Sequence, residues 1–157
     1  MNTITLNNEM TLTFPDSFRV MDASEREKLN FIEEGQGECL QDKEHHILIS
    51  IGWKPLGAFI SFLIGTKDAA KNMKLAIRNA MQQYGFTDNG SRQISLVQET
   101  AEGFCYEYEA QSIPMYGESY VVKHSKTFYY LNCYGRQESK EECKEIWYDI
   151  LASVRWI

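Results

Sequence analysis

The side chains in this sequence able to attack a substrate, move a proton or hold a metal are three histidines, four cysteines and several paired carboxylates. His45 and His46 are adjacent, so within a strand their rings point to opposite faces and do not close on one ion. Cys39 or Asp42 joins them only if the loop folds back, and the expectation is an exposed strand start rather than a metal site. Cys39, Cys105, Cys133 and Cys143 contain no CxxC pair. Free buried thiols are the expected state, with a structural disulfide or a zinc site as the other options. Cys105 or Cys133 set beside His124 across neighbouring strands would make a thiol–imidazole nucleophile. That chemistry also needs a lowered thiol pKa and a third, orienting group, and the sequence supplies neither. Glu107 and Glu109 share one strand face, as hydrolytic acid–base pairs sometimes do, but on an outward face carboxylates are simply solvated. There is no GxSxG elbow and no phosphate-cradling glycine loop followed by Lys-Ser or Lys-Thr. Gly35-Gln36-Gly37 is half of a dinucleotide fingerprint without its strand–turn–helix setting, and Asn89-Gly90-Ser91 reads as a turn. No catalytic residue, cofactor or metal ligand is assigned.

The surface offers more. Lys67, Lys71, Lys74 and Arg78 recur every three or four residues and fall on one side of a helix. Glu138, Glu141, Glu142, Glu145 and Asp149 make a later helix acidic. Such stripes serve either as the wet face of an amphipathic helix or as an electrostatic docking surface. Leu56-Gly-Ala-Phe-Ile-Ser-Phe-Leu-Ile64, next to Trp53, is the longest apolar run. Buried, it is core; with Phe59 and Phe62 turned outward, it is a contact patch. Nine tyrosines suit such a contact, because their rings are apolar and their hydroxyls are not. Trp53, Phe59, Phe62, Lys67, Lys71, Lys74 and Arg78 are therefore the expected partner-binding residues.

The elements that must position these groups are legible from periodicity. Thr3–Leu6 and Met10–Phe14 flank Asn7-Asn8-Glu9, a hairpin signal because asparagine tolerates positive φ. Ser24 with Glu27 forms a capping box for a helix from about Glu25 to Phe31. A strand near Glu38–Gln41 and a stronger one at His46–Trp53 follow, the latter with Ile47, Ile49, Ile51 and Trp53 on one face. Thr66 caps a helix to about Tyr84, ended by Gly85 in the left-handed position. Four strands follow, at about Arg92–Glu99, Phe104–Ser112, Glu118–His124 and Lys126–Tyr134, with turns at Glu102-Gly103, at Pro114 to Gly117 and around Ser125. The last is apolar on both faces, which marks a central strand. Ser139 with Glu142 is a second capping box, opening a helix to about Val154.

The chain has 157 residues, enough for one domain spanning 1–157. Its net charge of −6 argues against non-specific binding to nucleic acid. No apolar run approaches the ~20 residues of a spanning helix. Met1 to Leu12 lacks the basic start and apolar core of a secretory signal, so a cytoplasmic location is expected. The fold class that follows is α+β, a three-layer α/β/α sandwich around a mostly antiparallel sheet, with a two-layer form as the alternative.

This organisation resembles the PsbP-like superfamily, which includes a photosystem subunit, a Ran-binding nuclear-transport factor and bacterial DcrB-like proteins. Met10-Thr-Leu-Thr-Phe-Pro15-Asp-Ser-Phe18 resembles the family's strand–Pro–aromatic start. The Tyr106 to Tyr130 meander resembles its central sheet, and the ending, from Phe128 through a helix into Ile150-Leu-Ala-Ser153-Val-Arg-Trp156, resembles its closing strand, helix and Ser-containing terminus. The apolar Leu56–Ile64 insert departs from the pattern. The superfamily shares no catalytic motif, so the resemblance implies a binding scaffold and assigns no residue. The reading is a non-catalytic binding module for a protein or peptide partner, of chaperone, adaptor or immunity-protein type, using an apolar groove beside the sheet. A small thiol- and histidine-dependent hydrolase or a small-ligand binder is the alternative. The sequence assigns no oligomeric state.

Overall fold

The computed structural model describes residues 1–29 and 36–157, so the end of the first helix at Phe31 and Gly35 of the glycine pair lie outside the described residues. Strands β1 (Asn2–Leu6) and β2 (Met10–Phe14) form the expected hairpin, with Asn7 and Asn8 both in the left-handed region at φ 50° and 53°. The short C-terminal strand β10 (Arg155–Trp156) adds to the other side of β2. The large sheet has seven strands: β3 (Phe18–Val20), β4 (Gly37–Asp42), β5 (Ile47–Pro55), β6 (Thr87–Leu96), β7 (Glu99–Ala110), β8 (Ile113–His124) and β9 (Thr127–Arg136). Their order is β3-β4-β5-β9-β8-β7-β6, every neighbouring pair is antiparallel, and β9 is the middle strand, as its two apolar faces predict.

Among the described residues there are four α-helices: α1 (Ala23–Glu27), α2 (Ala58–Leu63), α3 (Thr66–Met81) and α4 (Lys140–Ala152). Helix α4 and the hairpin cover one sheet face, and α3 lies on β7 and β8 of the other. The fold is the expected mixed α+β architecture with layers on both sides of the sheet. Beneath α4, Ile49, Ile51, Tyr120, Val122, Tyr129 and Leu131 meet Trp147, Ile150 and Leu151 of α4 and Met10, Leu12 and Phe14 of β2. The cluster under α3 is smaller: Phe104, Tyr106, Val121 and Phe128 against Ala69 and Met73.

Several local readings need correction. The turns placed at Glu102-Gly103 and at Pro114 to Gly117 lie inside strands; the chain reverses instead at Val97-Gln98 and Gln111-Ser112, all four with positive φ. The glycines serve close packing. A Cβ on Gly103 would sit 1.9 Å from the Ser119 carbonyl oxygen, and one on Gly117 would sit 2.3 Å from the Tyr106 ring. His45 and His46 are in the β4–β5 turn, not in the strand. The first capping box is two residues earlier than read. Asp22 is extended and accepts from the Glu25 N–H at 2.8 Å, while Glu25 accepts from the Asp22 N–H at 3.2 Å. Ser139 makes no cap bond because a 3-10 turn, Gln137–Ser139, delivers it at φ −120°, ψ 30°. Gly65, not Thr66, is the N-cap of α3. Gly85 does end that region in the left-handed conformation, at φ 68°.

Candidate functional site

Cys105 and Cys133 both lie directly opposite Glu118, from β7 and β9. His124 is six residues farther along β8, about 20 Å at the rise of a strand, so neither thiol meets it. Instead, His124 Nδ1 pairs with Glu99, and its ring stacks on Trp156 with centroids 4.0 Å apart. His45 Nδ1 lies 2.6 Å from Asp42 Oδ2, and its Nε2 lies 3.4 Å from Glu142. Ser17 donates to the same Asp42 Oδ2 at 2.8 Å, so the imidazole does not stand between hydroxyl and carboxylate and cannot relay the serine proton. Asp42 also accepts the backbone N–H groups of Glu44 and His45, which makes it the fastening of the β4–β5 turn. Burial works to raise its carboxyl, but the bonds from His45 and Ser17 prevail and hold it below the usual value. The bond to Asp42 in turn raises His45.

All four cysteines are free and buried. Burial pushes the Cys39 thiol up to about 11 and raises Cys105, the reverse of what a nucleophile needs. Cys133 and Cys143 meet with sulfurs 3.7 Å apart under α4, where burial holds Cys133 well above its ordinary value. Among the described residues, no three His, Cys, Asp or Glu side chains converge to hold a metal ion.

A polar cluster that sequence reasoning missed lies beneath α4. Oε1 of the fully buried Glu118 accepts from Cys105 Sγ at 3.0 Å, Tyr116 OH at 2.9 Å and Tyr148 OH at 2.9 Å. Arg92 Nη2 donates to Tyr148 OH at 3.1 Å, which ties β6, β8 and α4 together. The signal was one charge on a strand face otherwise made of Tyr116, Tyr120 and Val122. Enclosed by its own chain, this carboxylate anchors α4.

The opposite face has open space. Helix α3 packs chiefly on β7 and β8, and a groove of about 1090 Å³ remains beside its C-terminal end. Leu48, Tyr108, Met115 and Tyr134 form the floor, Met81 and Tyr84 one wall, and Lys43, His46, Glu109 and Arg136 the rim. Tyr134 is held by Tyr106 and Ser50, and burial pushes its phenol up to about 12. Tyr106 OH and Ser119 Oγ are 2.9 Å apart, and Asn132 Nδ2 donates to Ser50 Oγ at 3.1 Å. The floor is thus rigid and uncharged, and its edge carries charges of both signs, Lys43 and Arg136 beside Asp42 and Glu109.

Of the residues expected to contact a partner, Trp53, Phe59, Phe62 and Lys67 sit at the other end of the sheet, while Lys71, Lys74 and Arg78 follow α3 back toward the groove. Helix α2 follows Pro55, which pairs with Thr127, whereas the groove lies where β5 begins and β9 ends. Phe59 is 74% exposed and Phe62 87% exposed. Lys67, Lys71 and Arg78 are exposed on α3. Lys74 is engaged, bridged to Asp88 and lying 5.3 Å from the centre of the Phe104 ring. Trp53 is half-buried against the core. No helix among the described residues is long and apolar enough to cross a membrane.

The architecture is that of the PsbP-like fold. The chain is similar to cyanobacterial PsbP (CyanoP) of Synechocystis sp. PCC 6803, with a TM-score of 0.73 at 9% identity over 99% of this chain and 92% of that one. It is also similar to LpqN, involved in cell envelope biogenesis of Mycobacterium tuberculosis, with a TM-score of 0.65 at 13% identity over 94% and 82%. A structure from Bacteroides thetaiotaomicron matches at a TM-score of 0.61 and 7% identity, over 98% of this chain and 47% of that one. Likeness at these identities is likeness of fold, and none of the three is named as an enzyme. No family model and no curated protein matches the sequence.

Proposed function

We propose that this protein is a non-catalytic cytoplasmic binding module that holds an extended, apolar and acidic segment of another protein in the groove beside α3. The groove itself carries the reading. Its floor of Leu48, Tyr108, Met115 and Tyr134 offers apolar surface with neutral hydroxyls, and Lys43 and Arg136 can pair with acidic residues of whatever enters. At about 1090 Å³ and open to one side, it suits a peptide better than an enclosed small molecule, whose pockets run to roughly 1,000 Å³ and surround the ligand. A chaperone-like or immunity-like role fits such a module, because both consist of covering another protein's surface without changing it.

An array of peptides varying in apolar and acidic content tests this. Peptides alternating leucine or phenylalanine with glutamate should bind, and Met115→Glu and Tyr84→Glu should weaken them. Retention of no peptide, or binding indifferent to both substitutions, contradicts the proposal.

A further inference from the structure

Helix α2 is apolar over nearly everything it shows to solvent. At 3.6 residues per turn, Ala58, Phe59, Ile60, Phe62 and Leu63 sweep an arc of about 200°. Ile60 is 43% exposed and Leu63 57% exposed, while Ser61 alone turns to the body and is buried. A helix that docks into a protein groove shows a narrower apolar stripe, around 100°, backed by polar residues that stay in water. This helix has no polar side. It is also held out rigidly: Lys123 Nζ donates to the carbonyls of Ser61 and Ile64, and the Leu56 N–H donates to the Lys126 carbonyl at 2.8 Å.

The base of the helix is cationic. Lys54 lies near the end of β5, Lys126 in the β8–β9 turn, and Lys67 and Lys71 follow on α3, all exposed. Asp68 is the one acid between Lys54 and Lys74, and with Glu99 and Glu102, which share a depression with Lys67 and Lys123, the acids here are fewer than the five lysines in a chain whose total charge is −6. Apolar tip and basic collar match the two layers of an anionic bilayer surface, acyl chains beneath and phosphate headgroups above. The six-residue helix is about 9 Å long, comparable with the ~5–10 Å to which interfacial helices sink.

We infer that α2 is an interfacial anchor, seating Phe59, Phe62 and Leu63 among the acyl chains of an anionic membrane with Lys54, Lys67, Lys71 and Lys126 at the headgroups. The groove, at the opposite end of β5, stays open to its own partner, so this inference does not depend on that reading.

The test is cosedimentation of the full chain with sucrose-loaded vesicles of phosphatidylcholine alone, and of phosphatidylcholine with about one-third phosphatidylglycerol, at low and high salt. Wild type should pellet with the anionic vesicles and release as salt rises. Phe59→Asp with Phe62→Asp should lower the partition about tenfold or more. Phe59→Ser with Phe62→Ser removes the rings without adding charge and should act in the same direction. Thermal melts of both variants confirm folding. Independently of either, Phe62→Trp should gain blue-shifted emission that brominated lipid quenches. Wild type remaining in the supernatant with both vesicle types overturns the inference, as does pelleting that both double variants leave unchanged. So does self-association of wild type, abolished in the variants, without vesicle binding, since that identifies the occupant as a second copy.

Discussion

The two faces of the seven-stranded sheet are built to different ends. Under α4 and the hairpin lies the larger core, with Trp147, Tyr120 and Tyr129 almost fully buried and a buried carboxylate fastening the helix. Across the sheet, α3 packs chiefly on β7 and β8, buries Ala69 and Met73, and leaves a groove beside its C-terminal end. One face spends its apolar surface on stability; the other keeps part of it available. A chemical role would call for reactive groups at the open face, yet all four thiols are buried. Burial raises Cys39, Cys105 and Cys133, and the lowered Cys143 owes its shift to the bond with Cys133 under α4. The two paired histidines are engaged by carboxylates of their own chain. The open face offers shape, neutral phenols and a rim of mixed charge.

Substitutions test that contrast, and the closed face should respond most. Trp147→Ala should cost about 3–5 kcal/mol in urea unfolding, because a buried indole leaves a void; a loss below about 1 kcal/mol would remove the distinction between the faces. Glu118→Leu should cost about 2–4 kcal/mol by stranding the Tyr116, Tyr148 and Cys105 donors, with Glu118→Gln milder. Stability equal to wild type would mean that the carboxylate does not anchor α4.

A smaller effect is confined to one pH range. His45 is raised from 6.5, so its contribution is full below 6.5 and fades as pH climbs through the raised value. Asp42 is lowered from 3.8, so its contribution is full above 3.8 and is lost in stronger acid. His45→Gln should therefore cost about 1 kcal/mol between those two values and nothing resolvable in alkali. An equal loss at every pH would show that packing, not the ion pair, holds the β4–β5 turn. Least affected should be the open face, where Met115→Glu and Tyr84→Glu should leave stability within about 0.5 kcal/mol of wild type while weakening peptide binding about tenfold.

The sequence revealed what period and turn chemistry encode. The Asn7-Asn8 hairpin, the one-sided isoleucines of β5, the amphipathic α3 and the two-faced β9 were legible because each pattern is local. The strand boundaries in the meander were not. Gly103 and Gly117 read as turn glycines, yet they exist to let the Ser119 carbonyl and the Tyr106 ring approach, a constraint imposed by a neighbouring strand. The Glu118 cluster depends on three strands and α4 meeting at one point, and the groove on where α3 stops relative to β5. No window of sequence contains either. Whether Phe59 and Phe62 faced inward or outward was equally unreadable in an uninterrupted apolar run, since periodicity cannot orient a segment with no polar side.

Methionine methyl resonances separate the two faces directly, since Met81 and Met115 line the groove and Met10 is buried beneath α4. Titrating methyl-labelled protein with a peptide retained on the array should move Met81 and Met115 and leave Met10 in place. Movement of Met10 with Met81 and Met115 unchanged would put the binding surface on the face assigned here to stability.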